Sequence, residues 1–165
     1  MNNLLLFLAG FFLLFSYYRL SINTSFVNDL WGNIDGELKN FYIISIFISA
    51  IPFITTLYYI NTKTNINNKI VDKIYFGLLS IVLFSIFWMP LSILYLLKKQ
   101  DKNMIMYLVL LTLFLVALST LFVVYQLYLI NDQSLLYNIS FYGMLYFLFH
   151  TFVLDFITWS YNFFV

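Results

Sequence analysis

From Phe41 to Ile60 the chain reads FYIISIFISAIPFITTLYYI, without one charged side chain. At about 1.5 Å per residue, a helix of that length covers the roughly 30 Å hydrocarbon core of a bilayer. Longer uncharged runs follow at Tyr75–Leu97 and Met104–Ile130, and a shorter one precedes it at Leu4–Tyr18. Charged residues make up 9% of the chain and hydrophobic residues 63%. A soluble domain carries about 25% charged residues. Too few remain here to cover a soluble surface, so lipid must be the solvent for most of the chain. The pattern predicts one all-α integral membrane domain over 1–165, with about five transmembrane helices near 4–20, 41–60, 75–97, 104–130 and 135–160.

The first run is the shortest. Only Met1, Asn2 and Asn3 precede it, with no basic residue and no small-x-small site after it. It therefore reads as a retained helix rather than a signal peptide. Between the first two runs lies the most polar segment. Phe26, Val27, Leu30, Trp31, Ile34 and Leu38 recur there at helical spacing. This predicts a short interfacial amphipathic helix over 25–39 with Trp31 at the membrane surface. Gly32 and Gly36 weaken that helix, and an ordered loop is the alternative. Pro52, inside the second run, removes a helix hydrogen bond, and Ser49 or Thr55 is expected to satisfy the freed carbonyl. Arg19, Lys39, Lys98, Lys99 and Lys102 fall on one side of a five-span topology, and Lys63, Lys69 and Lys73 on the other. The excess points to the C-terminal side as cytoplasmic or matrix.

Most chemistry is excluded for want of parts. The net charge of +1 offers no basic patch for nucleic acid. Cysteine is absent, which removes thiol catalysis, Cys-based zinc sites and iron–sulfur ligation. One histidine cannot make a bis-histidine haem site. No glycine-rich loop is present to cradle phosphate. No catalytic, cofactor or metal site is predicted. Bound phospholipid such as cardiolipin is the expected companion of the Phe-rich faces.

The last stretch, LLYNISFYGMLYFLFHTFVLDFITWSYNFFV, differs from the others. It holds the chain's only histidine, His150, and a carboxylate, Asp155. Ionisable groups at membrane depth are costly and mark proton relays or buried polar contacts. On an α-helix, residues five apart project about 140° from one another, so the two do not form a local pair. Thr151 is then the expected local partner of Asp155. Tyr125 and Gln126 of the fourth span are candidates for linking the two groups. A carboxylate at the interface, with Trp159 and Tyr161 as aromatic belt, is the competing reading of Asp155. Gly143 allows another helix to come close. Elsewhere small residues are scarce, and no Gly-xxx-Gly pair lies within an apolar run, so wide helix spacing is expected.

Gly, Ala, Arg and Pro are rare, while Phe, Tyr, Ile and Asn abound, as in a gene from very AT-rich DNA. In its runs LLLFLAGFFLLFSYY, FYIISIFISAIPF and LYNISFYGMLYFLF, and in its ending SYNFFV, the chain resembles small divergent membrane subunits encoded in AT-rich mitochondrial genomes of protists, above all ciliates. Phe141 to Phe149, FYGMLYFLF, is similar to the aromatic-x-Gly-Ala-Ile-x-Val-Leu-Phe pattern in the third helix of the sixth ND subunit of complex I. Here it lies in the last helix, and no functional residue is carried over. The resemblance implies the mitochondrial inner membrane and a respiratory-chain or ATP synthase complex, with other membrane subunits and lipid as partners. The expected role is that of a structural, accessory subunit. The alternatives are a proton-path subunit using His150 and Asp155, or a small bacterial or viral transporter or channel.

Overall fold

A computed structural model describes residues 3–23, 28–63, 66–98 and 102–164. Among them every regular element is helical. The helices are α1 (Asn3–Asn23), α2 (Gly36–Thr62), α3 (Asn68–Leu97), α4 (Lys102–Tyr128) and a composite last helix. The last helix begins as α5 (Leu135–Phe149), continues as a π-helical segment (His150–Trp159) and ends as α6 (Ser160–Phe164). Four of these are long and apolar enough to cross a membrane: α2, α3, α4 and the composite Leu135–Phe164. The apolar part of α1, Leu5–Arg19, is shorter. The protein is thus an all-α integral membrane protein built on about five helices.

Local chemistry explains where the helices start. The Asn67 side chain accepts from the Lys69 N–H at 2.9 Å at the start of α3, and Ser134 caps α5 through the Tyr137 N–H at 3.4 Å. Such caps satisfy donors that a helix leaves open at its first turn.

The helices pack in a row of neighbours. α1 lies along α3, α3 along α4, α4 along the last helix, and the last helix along α2. Two clusters of buried residues form the interior, one towards each end. Tyr59, Ile74, Leu78, Val123, Leu127 and Met144 belong to one. Leu30, Tyr42, Ile93, Val109, Leu154 and Trp159 belong to the other. The outward faces are bulky and apolar, with Phe7 on α1 and Phe47 on α2 among the most exposed side chains.

Three expectations need correction. The interfacial helix over 25–39 does not form. Residues 24–27 lie outside the described set. The remainder is a 3-10 turn (Asp29–Trp31) and a loop, and Gly36 to Lys39 are already the first turn of α2. Gly32 and Gly36, at φ +55° and +52°, turn the backbone out of the helical region. Helix spacing is not uniformly wide either. A Cβ at Gly77 would meet Val123 at 2.5 Å, and one at Gly143 would meet the Pro52 ring at 2.6 Å. Single glycines therefore give α3–α4 and α2–α5 their close contacts. Finally, Ser49 and Thr55 donate to the carbonyls of Ile46 and Pro52. Neither takes the Ile48 carbonyl that Pro52 frees.

Candidate functional site

The π segment changes the geometry of the last span. In a π-helix the backbone bonds run i→i+5, so residues five apart become neighbours. Side chains follow the same spacing: Thr158 Oγ1 donates to the Val153 carbonyl at 2.9 Å and Ser160 Oγ to the Asp155 carbonyl at 3.3 Å. His150 and Asp155 are five apart, and His150 Nε2 lies 3.6 Å from Asp155 Oδ1. The expected separation of about 140° holds only for α geometry. The distance is within ion-pair range but longer than a hydrogen bond.

The second helix completes the site. Ser45 Oγ lies 2.8 Å from His150 Nδ1 and 2.7 Å from the Tyr146 hydroxyl. The Tyr42 hydroxyl donates to Asp155 Oδ1 at 3.0 Å. The Tyr42 ring meets the His150 ring edge-on, with centroids 5.7 Å apart. His150 is buried and Asp155 half-buried. The result is a line of groups, Tyr146–Ser45–His150–Asp155–Tyr42, shared by α2 and the last helix.

The loop before α2 holds this line in place. Trp159 Nε1 donates to the Leu30 carbonyl at 2.8 Å, and the Asn33 N–H donates to the Asn162 carbonyl at 3.0 Å. These bonds fasten the loop to the end of the last helix. Trp31 then packs edge-on against Tyr42 at 5.9 Å, with the Lys39 ammonium 5.0 Å above the Trp31 ring. The loop thus fixes where α2 begins, and with it Tyr42 and Ser45.

The expected linkers do not join this group. Thr151 Oγ1 donates to the carbonyls of Phe147 and Leu148 rather than to Asp155. Tyr125 is exposed, and Gln126 is buried with no hydrogen bond at its Oε1. The partners of His150 come from α2, not α4. Sequence reasoning missed Tyr42 and Ser45, although Tyr42, Ser45, Ser49, Thr56 and Tyr59 recur at spacings that keep one face of a helix. That face is buried while isoleucines and phenylalanines point outwards.

A second polar cluster sits at the other end of α2. Lys63 Nζ lies 2.9 Å from Asp132 Oδ2, which also accepts from Tyr59 at 3.1 Å and from Ser134 at 2.7 Å. The Lys63 ammonium, helped by the Ser134 hydroxyl, holds the Asp132 carboxyl below the usual carboxylate range. The folded value is therefore depressed. The contribution to stability is present above the ordinary aspartate pKa of about 3.9 and is lost as pH falls through the depressed value. Carboxyl-carbon NMR in nanodiscs should show Asp132 titrating below ordinary aspartate, and Lys63→Met should move it back up.

Among the described residues no group of three or more His, Cys, Asp or Glu side chains is placed to hold a metal ion. The chemistry on offer is proton transfer between neutral and ionisable groups. In the tautomer with Nδ1 protonated, His150 donates to Ser45 and leaves Nε2 open towards Asp155. A proton carried from Asp155 to Nε2, once the 3.6 Å gap closes, would release the Nδ1 proton to Ser45 Oγ, whose own proton would move to Tyr146 with loss of one proton there. The chain matches no family model, no curated protein and no solved structure.

Proposed function

We propose that this protein is a membrane subunit of an oxidative-phosphorylation complex of the mitochondrial inner membrane, and that its last span relays protons through His150 and Asp155. The observation that carries the relay is the hydrogen-bonded line Tyr146–Ser45–His150, with Asp155 at 3.6 Å from the far side of the ring. Ionisable groups inside a membrane protein pair with one another and serve such paths. π segments occur disproportionately at functional sites. The mitochondrial assignment is supported by composition alone, through the resemblance to AT-rich protist subunits.

A structural, accessory role for the same subunit is favoured by the outward faces of α1 and α2. Phe7, Leu14, Phe47 and Ile54 are all more than two-thirds exposed. Such rows suit phospholipid tails, cardiolipin included, and the helices of neighbouring subunits. The two roles coexist in one chain.

The test is made in native membranes. His150→Phe and Asp155→Asn should each slow proton-coupled turnover by about tenfold or more, the scale of general acid–base contributions, with assembly intact. Unchanged proton movement in both variants would remove the relay. The wild-type chain should co-purify with a large complex, and its isolation as a stable homo-oligomer would sink the subunit assignment.

A further inference from the structure

The facing sides of α4 and the last helix do not fill the space between them. A cavity of about 420 Å³ opens there. On α4 it is lined by Phe114, Ala117, Leu118 and Leu121. On the last helix Leu145, Leu148, Phe149 and Phe152 line it. Both sets recur three and four residues apart, so each is one stripe of its helix. Ala117 is buried and forms the floor, while Leu118, Leu121, Phe149 and Phe152 are exposed and form the rim. The space is therefore a groove that opens outwards. Phe156 stacks on Phe114 at 5.5 Å and on Phe152 at 5.8 Å, which closes one end.

Depth and chemistry narrow what can lie in it. Every side chain of the lining is apolar, so a water would find none of the polar partners it needs. α4 carries no charged residue after Lys102, its first. Phe114 lies about 18 Å along the helix from Lys102, and Leu121 about 10 Å from Tyr128, its last residue. The groove thus sits within the roughly 30 Å hydrocarbon layer. Two apolar occupants suit that depth, a helix of a neighbouring subunit and a lipid tail. Size decides between them. Over the rise of about 10 Å from Phe114 to Leu121, the volume gives a mean cross-section of about 40 Å². A helix about 10 Å across needs about 80 Å². A hydrocarbon chain, whose carbons touch their neighbours at about 4 Å, takes about 16–20 Å². Two chains fit side by side, and a helix does not.

We propose that this groove is a binding site for one phospholipid, which lays its two acyl chains between α4 and the last helix. The proposal deepens the lipid-contacting reading of this chain and does not depend on the proton relay. It names a site of a different kind from the outward rows of α1 and α2. A row on one helix meets a tail on one side, whereas the groove offers a floor and two walls, and dispersion contacts add up with each. The tails also back the turn that carries the histidine. Phe149 and Phe152 face the groove, while His150 and Thr151 between them are buried.

The probe is a phosphatidylcholine with a photoreactive diazirine near the methyl end of one chain, added to native membranes. After irradiation the purified chain is mapped by peptide mass spectrometry. Phe149 and Phe152 are compared with the exposed Phe47 of α2, and Leu118 with the exposed Ile54. Adducts in the groove should be about threefold or more denser, a retention of about 0.7 kcal/mol. Ala117→Leu builds a side chain up from the floor and should bring the ratio to about one, the value for lipid that is not retained. The wild-type map decides alone if Ala117→Leu does not assemble. Equal labelling of both faces in the wild type overturns the site and leaves only passing lipid. Labelled Phe47 and Ile54 beside an unlabelled groove means that a neighbouring subunit fills it, which overturns the site as well. Silence on both faces would sink the lipid-facing reading of α2 together with the site, while the relay is still judged by His150→Phe.

Discussion

Gly32→Ala should destabilise the protein by about 2–3 kcal/mol, as the sum of a backbone term near 1–2 and a lost hydrogen bond near 1. Gly32 sits at φ +55°, ψ −126°, the mirror image of a region that L-residues use freely. A side chain there is strained whatever the space around it. The space is also absent, because an added Cβ would run into the Asn162 carbonyl oxygen, a backbone atom that cannot swing away. The loop must lift. The Asn33–Asn162 bond goes with it, and the Trp159–Leu30 bond is weakened. Gly36→Ala is the control. Its φ is +52°, but nothing stands within 4 Å of the added Cβ, so only strain should appear, about 1–2 kcal/mol. Unfolding of both variants in nanodiscs separates the two contributions. Equal losses would show that the contact with Asn162 contributes nothing.

That the apolar runs form about five helices was legible in the sequence because lipid imposes a simple rule. Long uncharged runs are helices, and the polar breaks after Ile60, Leu97 and Ile130 are connectors. The loop at 28–35 was misread because Leu30, Trp31 and Ile34 keep helical spacing while Gly32 among them and Gly36 just after set the backbone. Spacing reports which residues are buried, and here it did so without an α-helix: Leu30 is buried from a 3-10 turn and Ile34 from the loop after it. The site was half legible. His150 and Asp155 stood out as ionisable groups in an apolar run, but their angular relation was computed for α geometry. Nothing in HTFVLDFITW announces a π segment, since i→i+5 bonding is a property of the backbone register rather than of residue type. Tyr42 and Ser45 were readable and passed over. The α2 run is apolar enough that its polar residues look incidental until their three-and-four spacing is written out. Asp132 is different again, because its partner Lys63 comes from another connector, and no local pattern joins the two.

Gly143→Leu should have the largest effect on the site without touching any residue in it. The magnitudes decide the direction for the smaller change first. Replacing a helical glycine by alanine gains about 0.8–1.0 kcal/mol in propensity. Forcing an extra carbon into a filled contact costs about 1–3 kcal/mol. The added Cβ would lie 2.6 Å from the Pro52 Cβ and 3.3 Å from its Cγ, within a rigid ring that has no other rotamer. The clash therefore wins, and Gly143→Ala should be neutral to mildly destabilising. Leucine adds three more carbons at the same place and should destabilise by about 3 kcal/mol or force α2 outwards. Ser45 and Tyr42 move with α2, so the hydrogen bonds to His150 and Asp155 lengthen and proton-coupled turnover should fall together with stability. Pro52→Gly removes the Cβ that the new side chain meets. In the double variant with Gly143→Ala, stability should recover by about 1 kcal/mol more than the separate effects predict. An additive cycle would mean that α2 and the last span do not meet at Pro52 and Gly143. The line from Tyr146 through Ser45 to His150 would then lack the contact that sets its length.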